Sequence, residues 1–463
     1  MMFRCKISWQ FYHAYGIEGH DANKHRKERG SMKVLFLHQN MPGQYKHLCR
    51  LFADDPKNQV VFVTKPKSFD VPNIHKLEFK VPREASISTH RYLSGAEQGV
   101  LAGQEVWRSL NKLKKTEGFI PDVICSHPGW GDAMFVKDVY PDTPLLSFME
   151  FYYRASGADV GFDPADPCNE DDKARIRTKN IVNLLSLESM DWGISPTLWQ
   201  HSLHPEAFKS RISVLHDGID TDFCVPDPNA TLTLANKTFR AGDEVVTYIA
   251  RNFEPYRGFP TFMRAAEIIQ KRRPNCMILA IGADEVSYGR RLQKGDTWRH
   301  RMLKEVTLDM DRIIFPGVLS YHQLINLFQI SAAHIYLTYP FVLSWSSMEA
   351  MATGCAMVSS RTLPVQEVMH HEHNALLADF FSPEDVANQV VRILDSKDRM
   401  QDMRMQARKT IVDAYALKDL LPLHQQLVVD LAQRKLPPPT HEVMMARHQN
   451  NRNFSQLLMN RAA

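Results

Sequence analysis

The sequence predicts an α/β protein built from two doubly wound, Rossmann-like parallel sheets facing across a cleft. Three observations carry that expectation. The chain has 463 residues, more than one ordinary core holds and comfortable for two. From Met32 onward, short apolar runs alternate with stretches whose apolar residues recur at helical spacing. The alternation stops in a polar stretch over residues 216–244 and then restarts, as two separate sheets require.

The elements follow in order. KVLFLH (33–38) reads as the first strand, QNMPGQ (39–44) as its loop and YKHLCRLFAD (45–54) as a helix. VVFVTK (60–65) is a second strand, and residues 88–115 carry a long helical pattern. DVICSH (122–127) is a strand ending at the turn HPGWG, and TPLLSFME (143–150) is another. A helix is expected over about 171–189, then WGISP, a short helix and the strand RISVLH (211–216). The stretch HDGIDTDFCVPDPNATLTLANKTFRAGDE (216–244) is rich in Asp, Pro, Asn, Thr and Gly and shows no apolar period, so it reads as a linker. The second half repeats the cycle: VVTYIA, the loop RNFEPYRG, a helix over 260–271, CMILAIGA, IIFPG, AHIYLTY and then residues 337–360, strand–helix–strand. The expected division is an N-terminal extension at 1–31, one domain at 32–222, a second at 223–415, and a helix with a polar tail at 416–463.

Composition excludes several classes. Net charge is +4 and pI about 8.5, too mild for nucleic acid, though it suits an anionic small ligand or loose contact with anionic lipid. No apolar run approaches the roughly 18 residues of a membrane span. The seven cysteines are widely spaced without a C-x-x-C pair, so they read as reduced residues of a cytosolic protein, and structural zinc is not expected. Residues 1–31 lack an apolar h-region and a cleavage site; the two readings are a functional start at Met32 or a disordered basic tail.

The ligand is read from the loops. The first βα loop, HQNMPGQ, has a single glycine and not G-x-G-x-x-G, which disfavours a dinucleotide. RNFEPYRG places Arg251 and Arg257 around a turn that feeds a helix N-terminus, a seat for a diphosphate; the alternative is a solvated pair of surface arginines. Glu349 is the lone acid in the small-residue helix that follows LSWSS, and its carboxylate can accept from vicinal hydroxyls such as those of ribose. The alternative is a glutamate placed for the helix dipole. His127 reads, on its own, as a turn residue.

Taken together, IARNFEPYRG, AIGADEVSYG, FPGVLSYHQL, LTYPFVLSWSSMEAMATGCAMVSS, LPVQEV and HDGID resemble the retaining glycosyltransferases of family 4, with the GT-B fold. FLHQNMPGQY, SHPGWGD and FYYRASGADVGFDP resemble a bacterial branch of that family. The resemblance runs from Met32 to about Ala416. It implies that Arg251 and Arg257 bind the donor diphosphate and act in catalysis, and that Glu349 holds the nucleotide ribose. Ser344, Trp345 and Ser346 would lie against sugar and phosphate, Gly317 and Val318 near the base, and His127 opposite the donor sugar as a catalytic group. The glutamate that the family places eight residues before the ribose acid is Phe341 here, which leaves the sugar contacts open. Gln44, Glu150 and Tyr153 are the expected acceptor contacts, since amides, carboxylates and aromatic faces suit a sugar-bearing acceptor.

The implied activity is transfer of a sugar from a nucleotide-diphosphate donor to a glycan, lipid-linked or other hydroxyl acceptor, with retention, in cell-surface polysaccharide or glycoconjugate synthesis. No cofactor and no metal are expected beyond the co-substrate. The expected location is cytoplasmic, with peripheral contact at the inner membrane compatible. A non-catalytic nucleotide-sugar binder and a sugar-nucleotide epimerase of the same fold are the alternatives; a nucleotide-dependent dehydrogenase lacks its glycine fingerprint. Asp220-Thr221-Asp222 and Asp309-Met310-Asp311 spell D-x-D, but a two-arginine seat requires no metal, and both read as structural.

Overall fold

The computed structural model describes residues 31–66 and 70–435. The expectation for the N-terminal extension, and that for the polar tail beyond residue 435, fall outside them. The described residues divide into two compact units, one formed by those up to Gly218 together with those from Leu417 onward, the other by Ile219–Ala416.

In the first unit, seven parallel strands form one sheet: β1 (Lys33–Leu37), β2 (Gln59–Thr64), β3 (Ile74–Glu78), β4 (Val123–Ser126), β5 (Leu145–Phe148), β6 (Trp192–Ser195) and β7 (Ile212–Val214). Their order is β3-β2-β1-β4-β5-β6-β7. Apart from the first residues of β1 and β2, the strands other than β3 are buried along their length, which is why they read as continuous apolar runs. β3, IHKLE, is a half-exposed edge strand with charged residues and was not legible as a strand. The helix Leu417–Ala432 packs here: Leu420, Leu427, Val428 and Leu431 share a core with Val34, Phe36, Phe62 and Phe148.

Two helices differ from expectation. The long pattern at 88–115 becomes helical only at Ser94, because the residues before it are tied into a turn, with Thr89 and Arg83 both bonded to Glu97. The helix expected over 171–189 is two, Glu170–Lys179 and Ile181–Ser189. They break at Asn180, whose side chain accepts from the Tyr153 N–H and donates to the Tyr153 carbonyl.

The second unit opens with a correction. The stretch read as a linker contains an antiparallel hairpin, β8 (Thr231–Leu234) and β9 (Lys237–Arg240). Leu232, Leu234 and Phe239 alternate inward, and the two-residue turn Ala235-Asn236 has positive φ at both positions (48° and 62°), as a tight hairpin requires. A parallel sheet follows: β10 (Val245–Asn252), β11 (Met277–Ala283), β12 (Ile313–Gly317), β13 (Ala333–Tyr336), β14 (Met357–Ser360) and β15 (Leu376–Ala378), in the order β12-β11-β10-β13-β14-β15. Among the described residues, no helix is long and apolar enough to cross a membrane.

Candidate functional site

Each sheet reverses its strand order once, between β10 and β13 in the second unit and between β1 and β4 in the first. Ligands of doubly wound sheets bind at the carboxyl ends of the strands flanking that reversal. Arg251, Arg257, Ser344, Trp345, Ser346 and Glu349 lie at the end of or after the flanking strands of the second unit, and Gln44 and His127 after those of the first; Gly317 and Val318 lie at the end of the edge strand β12, and Glu150 and Tyr153 follow β5.

In the second unit, the end of β10 carries Arg251, the turn after it carries Arg257, and the loop after β13 carries residues 337–344. The arginines are not alike. Arg251 lies near the end of β10 and is exposed, and no carboxylate among the described residues pairs with it. Arg257 is only 8% exposed. Its Nη1 donates to Tyr336 Oη (3.2 Å), Thr338 Oγ1 (2.8 Å) and the Val342 carbonyl (3.1 Å), so it braces the loop after β13 from beneath. Gly258 follows with φ 66°, and the helix Phe259–Arg272 starts there with its N-terminus at the same edge.

The helix Trp345–Ala352 begins at Ser344, whose N–H donates to Tyr336 Oη (3.0 Å) and whose Oγ meets Ser346 Oγ (3.0 Å). Trp345 packs on the apolar cluster that also holds Tyr321 and Phe223. Glu349 sits in the second turn, beyond the first-turn positions where the helix dipole favours an acid. Its Oε1 accepts from Tyr321 Oη at 2.7 Å. Burial, then the nearby Glu349 carboxylate, push the Tyr321 hydroxyl well above its usual range, so it stays a donor. Gly317, φ 83°, ends β12 and Val318 follows it, at the sheet edge beyond β11. Phe341 is buried with its ring 5.7 Å from Tyr256 and 5.0 Å from Tyr288.

In the first unit, His127, Gln44 and Glu150 come together. His38 Nδ1 accepts from the Asn40 N–H (2.9 Å), so its Nε2 carries the hydrogen and donates to Gln44 Oε1 (2.8 Å). Gln44 Nε2 donates to Glu150 Oε1 (2.9 Å). His127 Nδ1 accepts from the Gly129 N–H (3.4 Å), so its Nε2 faces Glu150 Oε2 (3.3 Å) as donor. The His127 ring is stacked against Trp130 (4.5 Å) and Phe148 (5.8 Å). Its side chain is 3% exposed and that of Glu150 29%, so of this pair the carboxylate is the partner that reaches solvent. Asp132 is buried as well; burial pushes its carboxyl up to about 6, against the opposing pull of His127, its own backbone N–H and Lys65. Tyr153 is held differently: its ring lies under the Lys179 ammonium (3.5 Å) and beside Phe151 (5.4 Å).

The D-x-D pairs have local roles. Asp220 Oδ1 accepts from the Asp222 and Phe223 N–H groups, and Asp309 caps a short turn and bonds Arg312. Among the described residues, no group of three His, Cys, Asp or Glu side chains could hold a metal.

Sequence reading missed Glu254, Tyr321 and His38. Glu254 stands between the two arginines in RNFEPYR, and Tyr321 follows the capping-box serine of SYHQ, so both lay in segments already singled out.

Two family models match consecutive stretches of the chain: one described as glycosyl transferase family 4 group at residues 56–224, the other as glycosyl transferases group 1 at residues 232–410. No curated protein matches the chain. Solved structures that it resembles include a sucrose-phosphate synthase from Thermosynechococcus elongatus, at 16% identity and TM-score 0.65 over 88% of this chain and 100% of that one. Another is the Anabaena protein HepE in complex with UDP-glucose, at 13% identity and TM-score 0.61 over 86% and 100%. A third is a glycosyltransferase from Rickettsia africae, at 12% identity and TM-score 0.62 over 88% and 100%. At such identities these structures speak to the fold, two parallel Rossmann-like sheets, while the two models between them span most of the sequence. The chain belongs to the glycosyltransferases of the GT-B fold.

Proposed function

We propose that this glycosyltransferase moves a sugar from a nucleotide-diphosphate donor to a hydroxyl acceptor with retention of anomeric configuration. The donor is placed on the unit Ile219–Ala416 and the acceptor on the other. The observation that carries the reading is the placement of Arg251, Arg257, Ser344 and Glu349 around the two strands flanking the strand-order reversal of one sheet: at the end of β10 and its turn, and on the loop and helix after β13. The HepE structure that this fold resembles holds UDP-glucose, which favours a uridine donor.

In a retaining transfer without a covalent intermediate, the acceptor oxygen bonds to the anomeric carbon on the face from which the diphosphate leaves. The protein then stabilises the leaving charge and positions the acceptor. Arg251 is free to meet that charge. Arg257 adds positive potential while it fixes the loop beside it. Glu349 takes the ribose hydroxyls. On the acceptor side, Glu150 and Gln44 take sugar hydroxyls, and His127 acts by holding Glu150. Tyr153, three residues after Glu150, offers an aromatic ring to the acceptor.

The test is thermal stabilisation by UDP-, GDP- and ADP-sugars, followed by product analysis. A ligand at 100 times its Kd stabilises by about 2.7 kcal/mol. Arg251→Ala is expected to abolish that shift for the matching nucleotide. Product analysis by NMR is expected to show the donor's own anomeric configuration in a sugar bonded to the acceptor. Free, C2-inverted nucleotide sugar would instead mark an epimerase. Unchanged nucleotide affinity in Arg251→Ala would overturn the donor assignment.

A further inference from the structure

Glu254 is fully buried, yet the residues around it in RNFEPYRG are the ones expected to bind ligand. Its carboxylate accepts from three consecutive backbone N–H groups of the loop after β11: Ser287 on Oε1 (3.2 Å), and Tyr288 (3.0 Å) and Gly289 (2.9 Å) on Oε2. A second tie lies beside it, from Asn252 Nδ2 to Ser287 Oγ (2.6 Å). A run of backbone N–H groups converging on one point is a ready anion seat. Here the protein's own carboxylate fills it, so these donors are not free for a phosphate. At its other end, the Glu254 carbonyl accepts from the N–H groups of Arg257 (3.2 Å) and Phe259 (3.3 Å), which sets the turn between β10 and the following helix.

The clamp has a consequence for the arginines. It fixes Tyr288, whose ring lies 5.4 Å from the Arg257 guanidinium carbon, 5.0 Å from Phe341 and 6.0 Å from Tyr256. The turn after β10, one of the two strands that flank the strand-order reversal, is thereby locked to the loop after its neighbour β11, with the Arg257 guanidinium beside Tyr288. The geometry points to Glu254 as a positioning residue of the donor site: it binds no ligand, and it sets the loop 284–289 against the end of β10, which carries Arg251, and the turn that carries Arg257. This deepens the assignment of those arginines to the diphosphate and rests on it.

Glu254→Gln keeps the volume but turns one acceptor oxygen into a donor aimed at backbone N–H groups. Hydrogen exchange at residues 287–289 is expected to accelerate while the strands of the sheet stay protected. The Kd for UDP, and the donor KM with it, are expected to rise roughly tenfold, about the effect of one lost hydrogen bond to a charged group. The kcat at saturating donor is expected to fall much less; a merely structural loss would lower the active fraction and leave KM alone. Asn252→Ala, which loosens the same loop without touching the carboxylate, is expected to move both readouts the same way by less, and it carries the test if Glu254→Gln does not fold. Faster exchange at 287–289 with the UDP Kd within about twofold of wild type would overturn the proposal, and so would unchanged exchange. Wild-type protein that binds none of UDP, GDP and ADP would instead remove the donor-site reading beneath it.

Discussion

Glu349 depends on a phenol. Tyr321 reaches it from the helix Tyr321–Ile330, and the Tyr321 ring is itself stacked on Phe223 at 5.4 Å and 13°. The carboxylate is thus aimed before any ligand arrives, and a preorganised acceptor loses less entropy on binding. Glu349→Gln is expected to weaken binding of the matching nucleoside diphosphate by about 1–3 kcal/mol, and Tyr321→Phe by roughly half of that. Both losses should shrink with a 2′,3′-dideoxy nucleotide, measured by titration calorimetry; equal losses with the dideoxy ligand would mean that the pair serves the fold and not the ribose. The two residues also differ in how legible they are. Glu349 stands out as one acid in a helix of small residues. Tyr321 is 28 positions away and meets it only because two helices of the same unit pack together, which no local spacing reveals. His127 shows the same limit from the other side: its place at a strand end was readable, but the side chains that shut it behind Glu150 come from separate loops.

At the scale of elements, the donor edge hangs on a single glycine. Gly258 has φ 66°, and a Cβ there would lie 2.5 Å from Leu337 Cβ and 2.8 Å from Leu337 Cδ1. Leu337 begins the loop after β13, so the turn after β10 and that loop touch with no room for a methyl group. Gly258→Ala is expected to cost about 2–4 kcal/mol, from the left-handed backbone and the forced repacking together. The urea midpoint should drop accordingly, and nucleotide affinity should fall with it; an unchanged midpoint would show that the turn can relax. The strand–helix alternation that builds this edge was visible in the sequence because buried parallel strands are unbroken apolar runs. The hairpin β8–β9 was not, since its strands are four residues each and sit among turn-forming residues. The helix break at Asn180 was hidden for another reason: it is made by a side chain bonding the backbone of Tyr153, while the residues on both sides keep helical preference.

The whole molecule buries histidines that must stay neutral. Burial lowers His204 to about 4, His216 to about 4 and His334 to about 3. These values lie below the ordinary 6.5, so the unfolded chain takes up protons first as pH falls. Their contribution to stability is whole above about pH 6.5 and is lost progressively towards pH 4, at up to about 1.4 kcal/mol per pH unit for each. The melting temperature is expected to fall between pH 7 and pH 5, and His216→Gln, if folded, to flatten that slope. A wild-type melting temperature that is level over this range would show that the histidines find partners for their protons.

The helix Leu417–Ala432 lends Leu420, Leu427, Val428 and Leu431 to the sheet that starts at Lys33. A ribosome releases those residues only after the whole of Ile219–Ala416. The unit Ile219–Ala416 is continuous in sequence and has all of its own core once Ala416 has emerged. The half of the protein that is synthesised first must therefore wait with part of its apolar surface uncovered while the other half is made, and its core closes only when the chain returns to it.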